Sequence, residues 1–201
     1  GCAVVTGVGA VHNAARVQPG NSVVIIGAGG VGLNVAQGAS LAKSDPIIAV
    51  DLRATALALA RDFDATHTIE AGTQNVVEAV RELTGGRGAD FVFDTVGAPS
   101  TITQAIDCAR KGGSIVVTGL SRTDTLASIP AFPFVMQEKR LIGSLYGSGQ
   151  PLIDIPRLVD LYRNGKLKLR ELVTHSYHLD EVNEALNTLA AGTDARGIIE
   201  W

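Results

Sequence analysis

The sequence predicts an α/β protein: a doubly wound, parallel, six-stranded sheet with helices on both faces, followed by a C-terminal α/β appendage. Short apolar runs of strand length recur six times before residue 146. Segments of helical character separate these runs, and such alternation is typical of parallel strands joined by right-handed crossovers. Many of the 23 glycines lie in the turns between the elements, where tight strand-to-helix connections favour small residues.

The predicted strands are short, apolar and rich in β-branched residues, and turn-forming residues bound each of them. The first strand follows a helical lead-in over residues 1–19 and a Pro-Gly-Asn turn. In chain order, the six predicted strands are Val23–Ile26, Ile47–Val50, Thr66–Ile69, Asp90–Thr95, Ser114–Thr118 and Arg140–Leu145.

Four helices are predicted between the strands. The alanine-rich run Ala54–Asp62 has high helix propensity. Thr73 is placed to cap a helix that continues through Leu83, with its valine and leucine side chains on one face. The other two helices run from the glycine turn to about Lys43 and from Ser100 to Arg110.

The last part of the chain follows a completed sheet and needs another surface to bury its apolar side chains. A stretch with two prolines, predicted to be irregular, leads into the sixth strand. The elements predicted after that strand are a helix over Pro151–Asn164, a strand over Leu172–Tyr177, a helix capped by Asp180 and ending near Ala191, and a strand over Arg196–Trp201.

The turn after the first strand reads GAGGVG (Gly27–Gly32), which has the spacing of a dinucleotide-binding fingerprint. In that fingerprint Gly27 permits a tight turn, Gly29 lets the backbone approach a pyrophosphate, and Gly32 lets helix and strand pack closely. The helix that follows points its unpaired N–H groups at the phosphate. Asp51 ends the second strand about 20 residues later, where a carboxylate accepts hydrogen bonds from ribose hydroxyls. That carboxylate would repel the additional phosphate of NADP, so the unit predicts NAD binding.

In a doubly wound sheet the cofactor lies in the crevice at the carboxyl ends of the strands. This rule selects the glycine turn and Asp51, and it adds the loops that follow the fourth and fifth strands. Those loops are Thr95–Gly97 and Thr118–Leu120.

The composition argues against several classes of function. A net charge of −3 gives no electrostatic reason to expect nucleic acid or an anionic membrane as a partner. The longest apolar stretches are strand-sized and interrupted by glycine, so no segment is predicted to span a bilayer. Two cysteines form no disulfide framework and no secretory signal opens the sequence, so a reduced, cytoplasmic setting is expected.

Seven short motifs occur in a fixed order along the chain: Cys2, TGVGAV over Thr6–Val11, VQPG, GAGGVG, TGGRGADFVFD, GSIVVTGL and RGIIEW. Their order and spacing resemble the carboxyl-terminal half of the medium-chain, zinc-containing alcohol dehydrogenases, and the similarity covers essentially the entire chain. The resemblance implies a Rossmann fold and the NAD-dependent oxidation of a primary or secondary alcohol, or the reverse reduction of an aldehyde or ketone, with hydride passing between the substrate and the nicotinamide.

The resemblance also implies individual coenzyme contacts. Thr6 matches a position that packs against the nicotinamide, and Arg196 matches a pyrophosphate contact. Arg53 compensates for a ribose-contacting lysine that is replaced here by Ala56. Together with the fingerprint, the predicted NAD-binding residues are Thr6, Gly27, Gly29, Gly30, Val31, Gly32, Asp51, Arg53, Thr95, Val96, Gly97, Thr118, Gly119, Leu120, Ser144, Leu145, Tyr146 and Arg196.

Zinc enters only through the resemblance, which matches Cys2 to the third protein ligand of the family's catalytic zinc. One cysteine cannot hold a tetrahedral catalytic zinc, which needs three protein ligands. The family's other ligands come from an amino-terminal catalytic domain that this sequence does not contain. We therefore expect residues 20–145 to form the NAD-binding domain, and residues 1–19 and 146–201 to be remnants of that catalytic domain. This chain alone is expected to bind NAD rather than to oxidise alcohols.

The resemblance suggests a homodimer in which two sixth strands pair edge to edge. The segment is apolar and contains no proline that would block such pairing. Its residues are Leu141, Ile142, Gly143, Ser144 and Leu145.

Two other functions stay open at this point. A zinc-free quinone or enone reductase of the same superfamily is disfavoured by Cys2 and Asp51, since those relatives usually lack the cysteine and favour NADP. A non-catalytic NAD-sensing or interaction module is the second, and the native open reading frame would distinguish it from part of a dehydrogenase.

Overall fold

The computed structural model describes residues 1–192 and 196–201, and the chain divides into two compact units, residues 1–156 and 157–201. The first unit contains a parallel sheet with the spatial order 3-2-1-4-5-6. Two halves of three strands therefore meet between the first and fourth strands, and the predicted doubly wound Rossmann sheet is confirmed. Its strands are β1 (Val23–Ile26), β2 (Ile47–Asp51), β3 (His67–Glu70), β4 (Ala89–Asp94), β5 (Ala109–Val117) and β6 (Arg140–Gly143).

Helices connect the strands. In the first unit they are α1 (Cys2–Gly9), which continues as a π-helical turn over Ala10–Ala15, α2 (Gly30–Leu41), α3 (Ala54–Asp62), α4 (Val76–Leu83), α5 (Pro99–Cys108) and α6 (Ala131–Met136). No helix in the described part of the chain is long and apolar enough to cross a membrane.

Burial at the centre of the sheet explains why the sequences of its strands are continuous apolar runs. All four residues of β1 are at most 3% exposed, and the first four residues of β2 are at most 2% exposed. Helices cover both faces of a doubly wound sheet, so neither side of a central strand meets water. The predicted apolar side of α4 is also confirmed, since Val76 and Val80 belong to the core cluster and Val77 and Leu83 pack against it.

The edges of some predicted elements are wrong. Helix α5 ends at Cys108 rather than Arg110, because Ala109 already pairs with Ala89 of β4. Strand β5 begins at Ala109, earlier than the predicted Ser114, and it includes Lys111–Gly113 with an irregular register, where Gly112 has a φ of +69°. Strand β6 stops at Gly143, two residues earlier than predicted.

One helix was missed. The sequence pattern predicts an irregular stretch around two prolines, whereas the structure forms α6 there. Pro133 is the third residue of this six-residue helix, and a proline in the first turn leaves no intrahelical hydrogen bond unmade. Proline therefore marks the beginning of this helix.

The cap of α4 differs from the prediction and provides a paired test. Asn75, not Thr73, precedes the helix, and its side-chain oxygen accepts the N–H groups of Val77 at 3.1 Å and Glu78 at 3.3 Å. We expect Asn75→Ala to lower the free energy of unfolding by about 1 kcal/mol. Thr73→Ala removes only an exposed hydroxyl bond to the Glu70 carbonyl and should cost about half as much or less. Urea unfolding of both variants checks the order, and an equal loss would contradict the assigned cap.

A buried carboxylate joins three strands at the amino-terminal end of the sheet. Asp90 Oδ2 accepts the N–H and the hydroxyl of Ser22, both at 2.8 Å, and Oδ1 accepts Arg110 Nε at 2.5 Å. Burial opposes the charge, but these bonds outweigh it and lower the pKa of Asp90. The bonds tie together the beginnings of β1, β4 and β5.

This network predicts acid sensitivity. A carboxylate whose pKa is lower in the folded state adds stability that is fully present above its unfolded pKa of about 3.9 and is lost as the pH falls through the folded value. We expect Asp90→Asn to be less stable than the wild type at pH 7, by about 2 kcal/mol. The difference should shrink below about pH 4, which urea unfolding at pH 7 and pH 3 measures. A difference independent of pH would contradict the assignment.

The second unit, described by itself, contains a two-stranded parallel sheet. Its elements include β7 (His175–His178), β8 (Gly197–Glu200) and α8 (Val182–Ala191), while α7 (Pro151–Arg163) runs across the division between the units. The predicted Asp180 cap is wrong. A short 3-10 turn precedes α8, and His178 and Glu181 form the capping pair there, with His178 N–H donating to Glu181 at 2.7 Å.

Candidate functional site

A crevice opens at the carboxyl ends of the central strands. It has a volume of about 330 Å³ and reaches from β1 and β2 to the beginning of α5. Its walls combine apolar side chains with a few polar groups, a composition that is typical of small-molecule sites. The lining residues are Ile26, Gly27, Val50, Asp51, Leu52, Ala71, Val96, Ser100, Thr101 and Gln104.

The glycine turn has the geometry that its fingerprint predicts. Gly27 adopts a φ of +95°, a backbone conformation that residues other than glycine rarely adopt. A Cβ atom on Gly32 would overlap the carbonyl oxygen of Gly27, so the start of α2 lies directly against the end of β1. A Cβ atom on Gly29 would meet nothing within 4 Å, so this glycine faces open space.

The first turn of α2 is left available to a ligand. Gly29 is its N-cap and no side chain caps it, so its leading N–H groups, beginning with those of Gly30 and Val31, have no intrahelical acceptor. Unpaired N–H groups and the positive end of the helix dipole together favour an anion.

Asp51 faces this turn from the tip of β2. Its Oδ2 accepts the N–H of Ala28 at 2.8 Å, while Oδ1 accepts the N–H of Arg53 at 3.0 Å and Arg53 Nε at 3.3 Å. The side chain is 10% exposed. The structure therefore brings the predicted acid, the predicted arginine and the glycine turn together at one crevice.

The loop after β4 is anchored to the same turn. The hydroxyl of Thr95 donates to the carbonyl oxygens of Ile26 at 3.0 Å and Gly27 at 2.8 Å. Val96 is 47% exposed, and its side chain lines the crevice. Thr95 and Val96 therefore connect the two predicted halves of the site.

The loops after β4 and β5 touch through their backbones. Gly97 has a φ of +83°, and a Cβ atom on Gly119 would overlap the backbone N of Gly97. Thr118 and Gly119 both direct N–H groups at the carbonyl oxygen of Asp94. Leu120, the last predicted residue of this group, is 83% exposed.

Asp94 was not selected from the sequence. It is fully buried at the end of β4, and its carboxylate accepts the N–H groups of Val96 at 3.3 Å and Gly97 at 3.0 Å. Burial raises the pKa of Asp94, and hydrogen bonds to the charged form offset part of that rise. The signal was present as an aspartate that ends an apolar strand, just as Asp51 does.

The remaining nicotinamide-side predictions lie on two packed elements. Thr6 is buried in α1, and the 3-10 turn Tyr146–Ser148 packs on that helix, where a Cβ atom on Gly147 would overlap the carbonyl oxygen of Val5. Ser144 is buried and bonds the hydroxyl of Ser148 at 3.1 Å. Leu145 is 74% exposed, and Tyr146 has a φ of +52°.

The last two predicted residues are Arg196 and Cys2. Arg196 belongs to the second unit, where its N–H donates to the hydroxyl of Thr174 at 3.2 Å. Cys2 is exposed at the start of α1, with its sulfur 3.8 Å from the hydroxyl of Thr6. Within residues 1–192 and 196–201, no group of three His, Cys, Asp or Glu side chains is placed to hold a metal ion.

Comparison with known proteins gives consistent matches. The family described as "Zinc-binding dehydrogenase" matches residues 30–164. Alcohol dehydrogenase-like 5 of Arabidopsis thaliana is 37% identical over 202 residues, which cover 98% of this chain and 51% of that protein. The S-(hydroxymethyl)glutathione dehydrogenase of Paracoccus denitrificans is 35% identical, with 99% and 55% covered.

A solved structure extends the likeness to three dimensions. The benzyl alcohol dehydrogenase of Acinetobacter calcoaceticus superposes with a TM-score of 0.94 at 37% identity, covering 99% of this chain and 54% of that one. The chain thus spans about half the length of the relatives that it matches.

Proposed function

Because the chain belongs to the zinc-binding dehydrogenase family, as its motifs predicted, we propose that it is the NAD-binding part of an alcohol dehydrogenase. The full activity is hydride transfer between a small alcohol, or the corresponding aldehyde or ketone, and the nicotinamide of the coenzyme. One observation carries the proposal. The half-buried carboxylate of Asp51 bonds directly to the glycine turn and lines the crevice at the carboxyl ends of β1 and β2.

The residues present fit the coenzyme. The free N–H groups at the start of α2 hold the pyrophosphate, and Gly29 leaves the space for it. Asp51 Oδ2 accepts the N–H of Ala28 and has a second lone pair that can accept a ribose hydroxyl. Asp51 Oδ1 makes a longer contact of 3.3 Å with Arg53 Nε, and a ribose hydroxyl can displace that contact. The negative charge disfavours the 2′-phosphate of NADP.

The same residues define what this chain contributes to the reaction. NAD, when bound, supplies the hydride acceptor. Thr95 fixes the loop after β4 against the glycine turn, and Thr6 provides a buried wall for the nicotinamide. Orienting the coenzyme is the chain's main contribution to rate, since a correctly held acceptor removes much of the entropic cost of transfer.

The described residues do not fit a catalytic zinc by themselves. Cys2 has no companion ligands, and a catalytic zinc requires three. We propose that Cys2 becomes a zinc ligand only together with residues from outside this chain. The identity of the alcohol also depends on residues from outside this chain.

Titration of the chain with NADH and NADPH, followed by coenzyme fluorescence, tests the proposal. We expect saturable binding of NADH and at least tenfold weaker binding of NADPH. Preference for NADPH would favour the zinc-free reductase, and failure to bind either coenzyme would overturn the proposal. Assaying alcohol oxidation with and without an amino-terminal extension then distinguishes an enzyme part from a binding module.

We also propose that two chains form a homodimer along β6. This strand is at the edge of the sheet, and Leu141 is 40% exposed on it. A charge on an edge strand opposes edge-to-edge pairing. Leu141→Lys is therefore expected to shift sedimentation from dimer to monomer, whereas Leu152→Lys, at a residue that is 92% exposed outside the strands, should leave it unchanged. A wild-type monomer at micromolar concentration would contradict the dimer.

A further inference from the structure

Asp94 makes an unusual number of contacts for one buried residue. Its two carboxylate oxygens accept separate N–H groups, Oδ1 that of Val96 at 3.3 Å and Oδ2 that of Gly97 at 3.0 Å. Its carbonyl oxygen accepts the N–H of Thr118 at 2.9 Å, the N–H of Gly119 at 3.1 Å and the Thr118 hydroxyl at 3.2 Å. A single residue at the end of β4 therefore binds two loops, one through its side chain and one through its backbone.

The two loops also contact one another directly. No Cβ atom could be added to Gly119 without overlapping the backbone of Val96 and Gly97. The hydroxyl of Ser121 donates to the carbonyl oxygen of Gly97. The loops after β4 and β5 thus form one continuous backbone surface, which we call the Asp94 junction (Asp94–Gly97 and Thr118–Ser121).

The fold places this junction under the second half of a bound dinucleotide. The adenosine half belongs beside Asp51 at the β1–β2 end of the crevice. A dinucleotide crosses from one half of the sheet to the other at the point between β1 and β4. The nicotinamide half therefore extends over the ends of β4 and β5, where the junction lies.

We propose that Asp94 is a positioning residue, which holds the loops after β4 and β5 as one rigid surface that orients the nicotinamide half of the coenzyme. The inference rests on the proposed function above and deepens it. Asp94 acts through the junction's backbone and makes no contact with substrate itself.

The chemistry explains why a carboxylate is needed. The N–H groups of Val96 and Gly97 each need a hydrogen-bond acceptor within the protein, because a buried donor without one destabilises the fold. A carboxylate offers two acceptor oxygens, whereas an asparagine offers one oxygen and an amide group that can only donate. Burial raises the pKa of Asp94, which means that the surroundings disfavour its charged form. Hydrogen bonds from Thr101, Val96 and Gly97 offset part of that cost, and those from Val96 and Gly97 depend on the position of the loop after β4.

Asp90 provides a matched control on the same strand. It is also a buried carboxylate that accepts a backbone N–H, but it lies at the opposite end of β4, with Ser22 and Arg110. Both residues stabilise the sheet, and only Asp94 reaches the coenzyme side.

The experiment compares wild type, Asp94→Asn and Asp90→Asn in the full chain, with NADH and AMP as probes. AMP reports the adenosine half alone. We expect Asp94→Asn to weaken NADH about tenfold, the loss of one hydrogen bond to a charged group, and to leave AMP within about twofold. Asp90→Asn should lower the melting temperature and change neither affinity by more than about twofold.

The outcomes separate the two proposals. An equal loss of NADH and AMP affinity in Asp94→Asn, or no loss of either, would overturn the positioning role while leaving NAD binding intact. A wild-type chain that fails to bind NADH overturns the proposed function and this inference with it. If Asp94→Asn does not fold, Ser121→Ala tests the junction from its exposed side. It should weaken NADH about threefold without affecting AMP, and unchanged NADH binding would count against the junction.

Discussion

Replacing Gly32 with alanine is expected to destabilise the protein and to abolish measurable NADH binding. The added Cβ atom would overlap the carbonyl oxygen of Gly27, which is backbone and cannot rotate away. Either α2 or the end of β1 must move, and forced overpacking of this kind costs about 3 kcal/mol. For a chain of this length that loss lowers the melting temperature by about 10 °C. Thermal unfolding and NADH titration measure the two effects.

Two other glycines make the test specific. Gly29→Ala adds a Cβ atom that meets nothing within 4 Å, so the fold should tolerate it, but the methyl group enters the space assigned to the pyrophosphate. We expect a near-normal melting temperature with NADH affinity reduced about tenfold. Gly72→Ala, which also meets nothing within 4 Å, should change neither property. If Gly32→Ala melted like the wild type and bound NADH normally, the close approach of helix and strand would be wrong.

The central strands and the glycine turn could be predicted because local pattern and tertiary environment agree there. Val23–Ile26 is buried on both sides and carries no polar residue, so period and burial give the same answer. Ala54–Asp62 has both high helix propensity and a defined place beside β2 and β3, and its bounds were predicted correctly. The fingerprint could be predicted for a related reason. Its glycines meet steric requirements of the turn, and these requirements are recognisable from the spacing of the glycines in the sequence.

The errors arise where a contact distant in sequence decides the outcome. The end of α5 depends on pairing between Ala109 and Ala89, which no local pattern reveals. Thr73 and Asn75 are both good capping residues, and the choice between them depends on the residue at which α4 begins after β3. Such choices depend on tertiary packing, which the local sequence pattern does not reveal.

The site shows the same division. Asp51 was predicted because its spacing from the glycines belongs to a known pattern. Asp94 has an equivalent place at the end of its own strand, yet its role depends on a loop that begins 24 residues later. Sequence spacing carries no information about the contact between the loops after β4 and β5, because that contact depends on the pairing of the two strands.

Asp51→Asn is expected to weaken NADH binding about 100-fold, which corresponds to roughly 3 kcal/mol. The asparagine keeps the size of the side chain but loses the charge and one acceptor oxygen. Both Ala28 and Arg53 direct N–H groups at this side chain, so the new amide nitrogen must oppose one of them. NADPH binding should change much less, since the 2′-phosphate no longer meets a negative charge. The ratio of the two dissociation constants, from parallel fluorescence titrations, should therefore narrow at least tenfold.

Glu70→Gln is the matched control for this charge effect. Glu70 ends β3 in register with Asp51, so it lies at the same edge of the sheet, but it does not line the crevice. If the preference for NADH came from the general negative field of this edge, Asp51→Asn and Glu70→Gln would narrow the ratio of the NADPH and NADH dissociation constants equally. Direct contact with the ribose predicts that Glu70→Gln leaves the ratio within about twofold of the wild type, because the half-buried Glu70 does not line the crevice. An Asp51→Asn variant that bound NADH normally would mean that the carboxylate serves the turn at Ala28 alone. The adenosine end of the proposed site would then have to lie elsewhere.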